Sequence, residues 1–125
     1  MKLQPDRFDA PAITGYGPGW VEIGGERVQT SVVIGSRGQR QDWPCREFSA
    51  LTADHFVQLA ALDAELVIFG SGERLRFVSP AWLQPLMLRR IGLETMDTRA
   101  ACRTYNILAG EGRNVIAALL LEPVG

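Results

Sequence analysis

The residues best suited to chemistry gather at Gly70-Ser71-Gly72, at Met96-Asp97-Thr98, and in the segment after the second stretch. Each stretch closes a short apolar or mixed run. In open parallel sheets, ligands collect at such strand ends, beside helix N-termini. Free N–H groups where a helix starts near Thr98 can hold a carboxylate or phosphate. Asp97 competes for them, because its side chain can cap the same helix. Cys102 stands four residues beyond Thr98, about one turn in. A thiol there, close to Arg99 and Arg103, has the setting for a lowered pKa. The rest of a nucleophilic set is missing, since His55 is distant in sequence and no CxxC occurs. The alternative is a small buried cysteine packed against its helix neighbours. Tyr105, Asn106, Glu111 and Arg113 complete the expected lining of a pocket or partner surface between the two corners, together with Gly70, Ser71, Gly72, Met96, Asp97, Thr98 and Cys102.

Other arrangements carry less. Glu94 and Asp97 are three apart across a strand end and do not share a face. Glu111 and Arg113 flank a glycine and can pair with each other or with Arg103. One histidine, two separated cysteines and no clustered acids make no metal cage, and no cofactor is expected. The loop Gly15-Tyr16-Gly17-Pro18-Gly19 has neither phosphate-loop order, so it reads as a tight turn rather than an anion site. His55 lies beside a helical apolar stripe and reads as a surface or boundary residue.

The elements must hold these residues in place. The run LVIF at 66–69 reads as a strand covered on both faces. A helix is expected at about 81–90, opened by Ser79-Pro80 and stopped by Gly92. Pro85 forces it to kink or to begin late. GLETM gives a short strand, 99–108 a helix, and VIAALLL at 115–121 a final strand. Strand, helix, strand, helix, strand is the order of a parallel sheet with crossover helices. Earlier, Thr52 can cap a helix within 49–63. Gly24-Gly25 joins Trp20–Ile23 to a strand over 26–34 as an antiparallel hairpin. Residues 35–42 read as a loop, followed by Trp43-Pro44-Cys45 as an edge strand or turn. Residues 1–12, with Pro5 and Pro11, read as an extended arm, and 13–125 as one domain.

Composition narrows the partners. A formal charge of −1 from 13 basic and 14 acidic residues gives no field for nucleic acid or an anionic membrane. The three tryptophans lie in no basic-aromatic repeat. No apolar run is long enough to span a bilayer, so no membrane insertion is expected. Two cysteines outside any disulfide framework, with neither a secretory nor a basic amphipathic targeting segment, point to a cytoplasmic protein. An exposed edge strand would make a weak homodimer reasonable beside a monomer.

The chain resembles a family of small, uncharacterised single-domain proteins that includes a mitochondrial assembly factor for respiratory complex I. The segments that carry the likeness are ITGYGPGW at 13–20, Trp43-Pro44, IFGSG at 68–72, GLETMDTRAACRTYNILAGEGR at 92–113 and VIAALL at 115–120. The resemblance implies a compact α/β domain with a mixed sheet and no signature cofactor. It brings no catalytic set. Together these readings give one α/β domain with an N-terminal antiparallel hairpin, a C-terminal β-α-β-α-β unit and helices packed on the sheet. The expected function is non-enzymatic binding of a protein partner of unknown identity, assisting assembly. The alternative is a small-molecule or anion site, or an enzyme of unrecognised type, at the groove near Gly70–Gly72 and Asp97–Cys102.

Overall fold

A computed structural model of the chain describes residues 10–124. The expected arm falls outside them over residues 1–9. The strands are β1 (Ile13–Gly17), β2 (Trp20–Ile23), β3 (Glu26–Val28), β4 (Val32–Gly35), β5 (Arg40–Asp42), β6 (Leu66–Gly70), β7 (Gly92–Met96) and β8 (Val115–Leu119). The α-helices are α1 (Ala53–Ala60), α2 (Gln84–Leu88) and α3 (Thr98–Gly110). β1, β2 and β3 form an antiparallel meander, and a five-stranded sheet runs in the order β5-β4-β8-β6-β7. β6 lies between β7 and β8 and is parallel to both, while β4 and β5 continue the sheet antiparallel. The fold is therefore the mixed α/β domain expected, with its hairpin and its C-terminal β-α-β-α-β unit.

Period-two alternation builds the two cores. Val33, Val67, Phe69, Ile116 and Ala118 face α1 and α2. Val32, Ile34, Ile68, Ala117 and Leu119 face α3 and the meander. The α1 side is aromatic: Trp43 and Phe56 meet Phe69 edge-on, at ring separations of 5.9 Å and 5.5 Å, a geometry that aromatic pairs favour. The α3 side is filled by Ala101, Cys102 and Tyr105 against strand residues, with Ile13, Val21 and Ile23 beyond. Small residues there let helix and sheet approach closely.

The last strand ends at Leu119 rather than 121, and α3 runs one residue earlier and two later than 99–108; four larger differences from the sequence reading each have a local reason. The strand expected over 26–34 breaks at residues 29–31, where the chain crosses from the meander to the main sheet. Buried Ser31 fixes that crossing, accepting the Leu121 N–H on its hydroxyl and the Trp43 N–H on its carbonyl. The loop expected at 35–42 contains β5, because Gly38 at φ 94° lets β4 turn back on itself. Trp43-Pro44 then follows the strand, and Trp43 is core. The helix expected at 81–90 begins late: Pro80–Leu83 is a 3-10 turn, and Pro85 sits in the first turn of α2, where no bond is lost. The helix expected within 49–63 is α1 alone, preceded by a 3-10 turn at Phe48–Ala50.

Candidate functional site

The two corners named from the sequence do meet. The Ser71 N–H donates to the Met96 carbonyl at 2.8 Å, and the Thr98 N–H donates to the Gly72 carbonyl at 2.9 Å. The Thr98 hydroxyl accepts the Gly72 N–H at 2.9 Å and donates to the Leu120 carbonyl at 2.9 Å. One buried side chain thus ties the ends of three neighbouring strands. Asp97 takes the cap of α3, accepting the Ala100 N–H at 2.9 Å. Gly70 is required by proximity: a Cβ there would lie 3.0 Å from Thr98 Oγ1 and 3.1 Å from Ala101 Cβ.

Three further residues join this corner without any signal in the sequence: Phe48, Arg76 and Glu122. The Arg76 guanidinium donates to the Ser71 carbonyl at 2.7 Å and pairs with Glu122 at 2.5 Å. It also lies 4.6 Å above the Phe48 ring, and Glu122 accepts the Phe48 N–H at 2.9 Å. Gly72, at φ 104°, passes so close beneath this pair that a Cβ would meet both side chains. Arg76 and Glu122 are 46 positions apart, and each reads in sequence as an ordinary surface charge. Beside the corner is a crevice of about 10 Å³ near Tyr16, Gly72, Thr98 and Arg99. It has room for about one water.

The remaining expected residues lie elsewhere. Cys102 is fully buried, and burial pushes its thiol up to about 12, opposite to an activated nucleophile. Burial likewise raises Tyr105, whose hydroxyl donates to the Pro11 carbonyl at 2.7 Å. Asn106 accepts the Ile13 N–H at 2.9 Å and donates to the Ile13 carbonyl at 2.7 Å, acting as a substitute strand for β1. Glu111 and Arg113 stand past the far end of α3, a full helix length from its start and from the corner. Arg113 pairs with Glu65 at 3.0 Å rather than with Glu111, and Glu111 forms no ion pair with Arg103 among the described residues. Arg103 instead donates to the Tyr16 hydroxyl at 3.0 Å. His55 is a boundary residue: Nδ1 accepts the Thr52 N–H at 3.0 Å, so Nε2 carries the proton toward the Pro44 carbonyl, 2.9 Å away.

Among the described residues no group of three or more His, Cys, Asp or Glu is arranged for a metal, and no helix is long and apolar enough to cross a membrane. A broad open depression of about 1040 Å³ lies between Thr30, Trp43, Arg46 and Pro123, sharing Leu121 with the corner crevice. None of the expected site residues lines it. Large apolar side chains are exposed at Val57, Leu75, Phe77, Met87, Leu88, Ile107 and Val124. Four of these seven lie on the connection between β6 and β7.

A family model described as a protein of unknown function (DUF498/DUF598) matches residues 13–120. The chain belongs to this family. A human protein named NADH dehydrogenase (ubiquinone) 1 alpha subcomplex assembly factor 3 is 33% identical over 98% of the chain. The chain spans 67% of that protein and 66% of its mouse counterpart. An uncharacterized protein of Rhodobacter capsulatus is 34% identical, over 96% of this chain and 92% of its own length. A crystal structure of a Bordetella parapertussis protein superposes with a TM-score of 0.84 at 36% identity, covering 90% of this chain and 97% of the other. A solution structure of a Mth938-like domain from Bordetella pertussis gives a TM-score of 0.81 at 30% identity, covering 98% of this chain and 93% of the other. The cytoplasmic placement is corrected by these relatives, because the named assembly factor is a mitochondrial protein. Unpaired cysteines speak only against a disulfide framework and do not choose among reducing compartments.

Proposed function

We propose that this chain is a non-catalytic protein-binding domain that assists the assembly of a larger complex. The observation that carries the reading is the exposed apolar surface of the β6–β7 connection. Phe77 and Met87 are each 69% exposed, Leu88 76% and Leu75 52%, although both cores are closed without them. Such side chains cost solubility and contribute nothing to the interior, which fits a surface that a partner covers. The assembly-factor relatives agree with this reading. The alternative carried from the sequence is a ligand groove at Gly70–Gly72 and Asp97–Cys102. It has little in its favour, since the corner's polar groups bond one another and the adjoining crevice holds about one water.

The test is affinity capture from native extract with the tagged chain and with the double variant Leu75→Asp, Phe77→Asp. A stoichiometric partner held by the wild-type chain and lost by the variant is expected. Equal capture by both, or a metabolite that stabilises and is turned over by the purified chain, would overturn the reading.

A further inference from the structure

The five-stranded sheet ends at β7, and this edge is unlike the others. β5 has three residues, all exposed, carries the Arg40–Glu26 ion pair, and is soon followed by Pro44. β3 is equally short and bears Arg27 over the Trp20 ring. β1 has the outward backbone of its first residue, Ile13, taken by Asn106, and its register is irregular between Ile13 and Gly15. These are the means by which proteins blunt a sheet edge. β7 is less guarded: its five residues keep an unbroken register with β6, contain no proline and no bulge, and carry one charge, Glu94.

The bonds to β6 show which groups of β7 face outward. The Gly92 N–H donates to Glu65, and the Met96 carbonyl accepts from Ser71. In a strand these directions alternate, so Gly92, Glu94 and Met96 address β6, while the N–H and C=O of Leu93 and Thr95 point away from the sheet. Among the described residues no hydrogen bond reaches either outward pair. Side chains alternate as well. Leu93 packs on the α1–α2 side, where α2 exposes Met87 and Leu88. Glu94 is exposed on the α3 side and forms no ion pair among the described residues.

We infer that β7 is the docking edge of the proposed partner surface, accepting an extended segment of another protein as an antiparallel sixth strand; this rests on the protein-binding reading above. The bonding pattern specifies the segment. Two of its residues, two apart, exchange bonds with Leu93 and Thr95. The residue between them stands opposite Glu94 in a non-bonded pair, where side chains come closest, and is lysine or arginine. The residue opposite Leu93 is apolar and lies on the α2 face. A second copy of this chain fits poorly. The register that uses both outward residues of each copy sets Glu94 directly against Glu94, and like charges there repel.

The experiment is an NMR titration of the full chain with a peptide, acetyl-Ser-Thr-Val-Lys-Val-Thr-Ser amide, and with its Lys-to-Glu counterpart. The lysine peptide is expected to shift the Leu93 and Thr95 amides and slow their exchange, and to bind about fivefold tighter than the glutamate peptide. Glu94→Lys should invert that preference. Thr95→Pro, which removes an outward donor and no bond to β6, should weaken binding about tenfold. A lysine peptide N-methylated at both bonding positions tests the same bonds with the protein unaltered, and should fail to bind. The edge assignment falls if shifts appear elsewhere or not at all, or if methylation has no effect. Dimerisation through β7 would also overturn it. If the peptides fail while partner capture persists and still depends on Leu75 and Phe77, the binding reading stands without the edge. If that capture is also absent, both fall.

Discussion

The corner where β6 and β7 end and the outer edge of β7 are neighbours of opposite character. At the corner, glycines admit α3, Thr98 bonds two strands at once, Asp97 caps the helix, and Arg76 and Glu122 fasten the C-terminal tail. Its polar groups are satisfied by each other. The outer edge carries an ordinary sequence, yet its outward backbone bonds to nothing within the described residues. The difference teaches that a distinctive motif can record the demands of close packing. A surface left for a partner needs only accessible groups and the absence of a guard.

The largest effect expected of a polar change breaks the corner. Thr98→Val keeps the shape of the side chain but leaves the Gly72 N–H and the Leu120 carbonyl without their partner. Losing bonds to two buried backbone groups should cost about 2–4 kcal/mol, read as a lower denaturation midpoint with an unchanged urea slope. A cost near zero would mean that water replaces the hydroxyl and that the corner is open after all. Next is Gly72→Ala. It sets a Cβ at φ 104° against Arg76 and Glu122. The change should destabilise by about 1–3 kcal/mol. Adding Glu122→Gln would separate the two causes: if the ion pair is what the new methyl displaces, the glycine change costs less in that background.

Much of this arrangement is legible in the sequence because its causes are local. The covered strand LVIF, the Asp97 cap and the meeting of Gly70–Gly72 with Met96–Thr98 follow from alternation, capping and strand–helix order. What the sequence hides depends on distant partners. Arg76 and Glu122 look like surface charges until the tail folds over the Ser71 loop. The break at residues 29–31 is invisible to alternation, because both flanking strands keep the pattern while belonging to different sheets. Asn106 reads as the polar side of a helix, yet it bonds β1 from 93 positions away. Cys102 leaves two readings open in sequence, and full burial selects packing.

A smaller effect sharpens the same contrast on the alkaline side. The Cys102 thiol is raised from its ordinary value of 9.0 to about 12 by burial, and Tyr105 is raised for the same reason. The folded chain therefore keeps these protons at pH values where the unfolded chain has lost them. Their contribution is whole below pH 9 and declines as the pH rises toward 12, so stability should fall across that window. Cys102→Ala should make the decline shallower. At about pH 8 the native thiol should resist maleimide under conditions that label the denatured chain. Rapid native labelling would return Cys102 to the list of accessible nucleophiles.

The smallest expected effect on stability falls on the open side. Phe77 is 69% exposed and belongs to neither core. Phe77→Asp should therefore change unfolding stability by no more than about 0.5 kcal/mol. A fully buried phenylalanine such as Phe69 gives the scale for comparison. Its truncation to alanine should cost about 3–5 kcal/mol. The contrast would fail if Phe77→Asp cost more than about 1 kcal/mol, a loss of the size that marks buried apolar contact. Phe77 would then belong to the interior, and the exposed surface would shrink to Met87, Leu88 and the strand beside them. A neutral result leaves Phe77 exposed for no reason internal to the fold, as expected of a side chain that a partner covers.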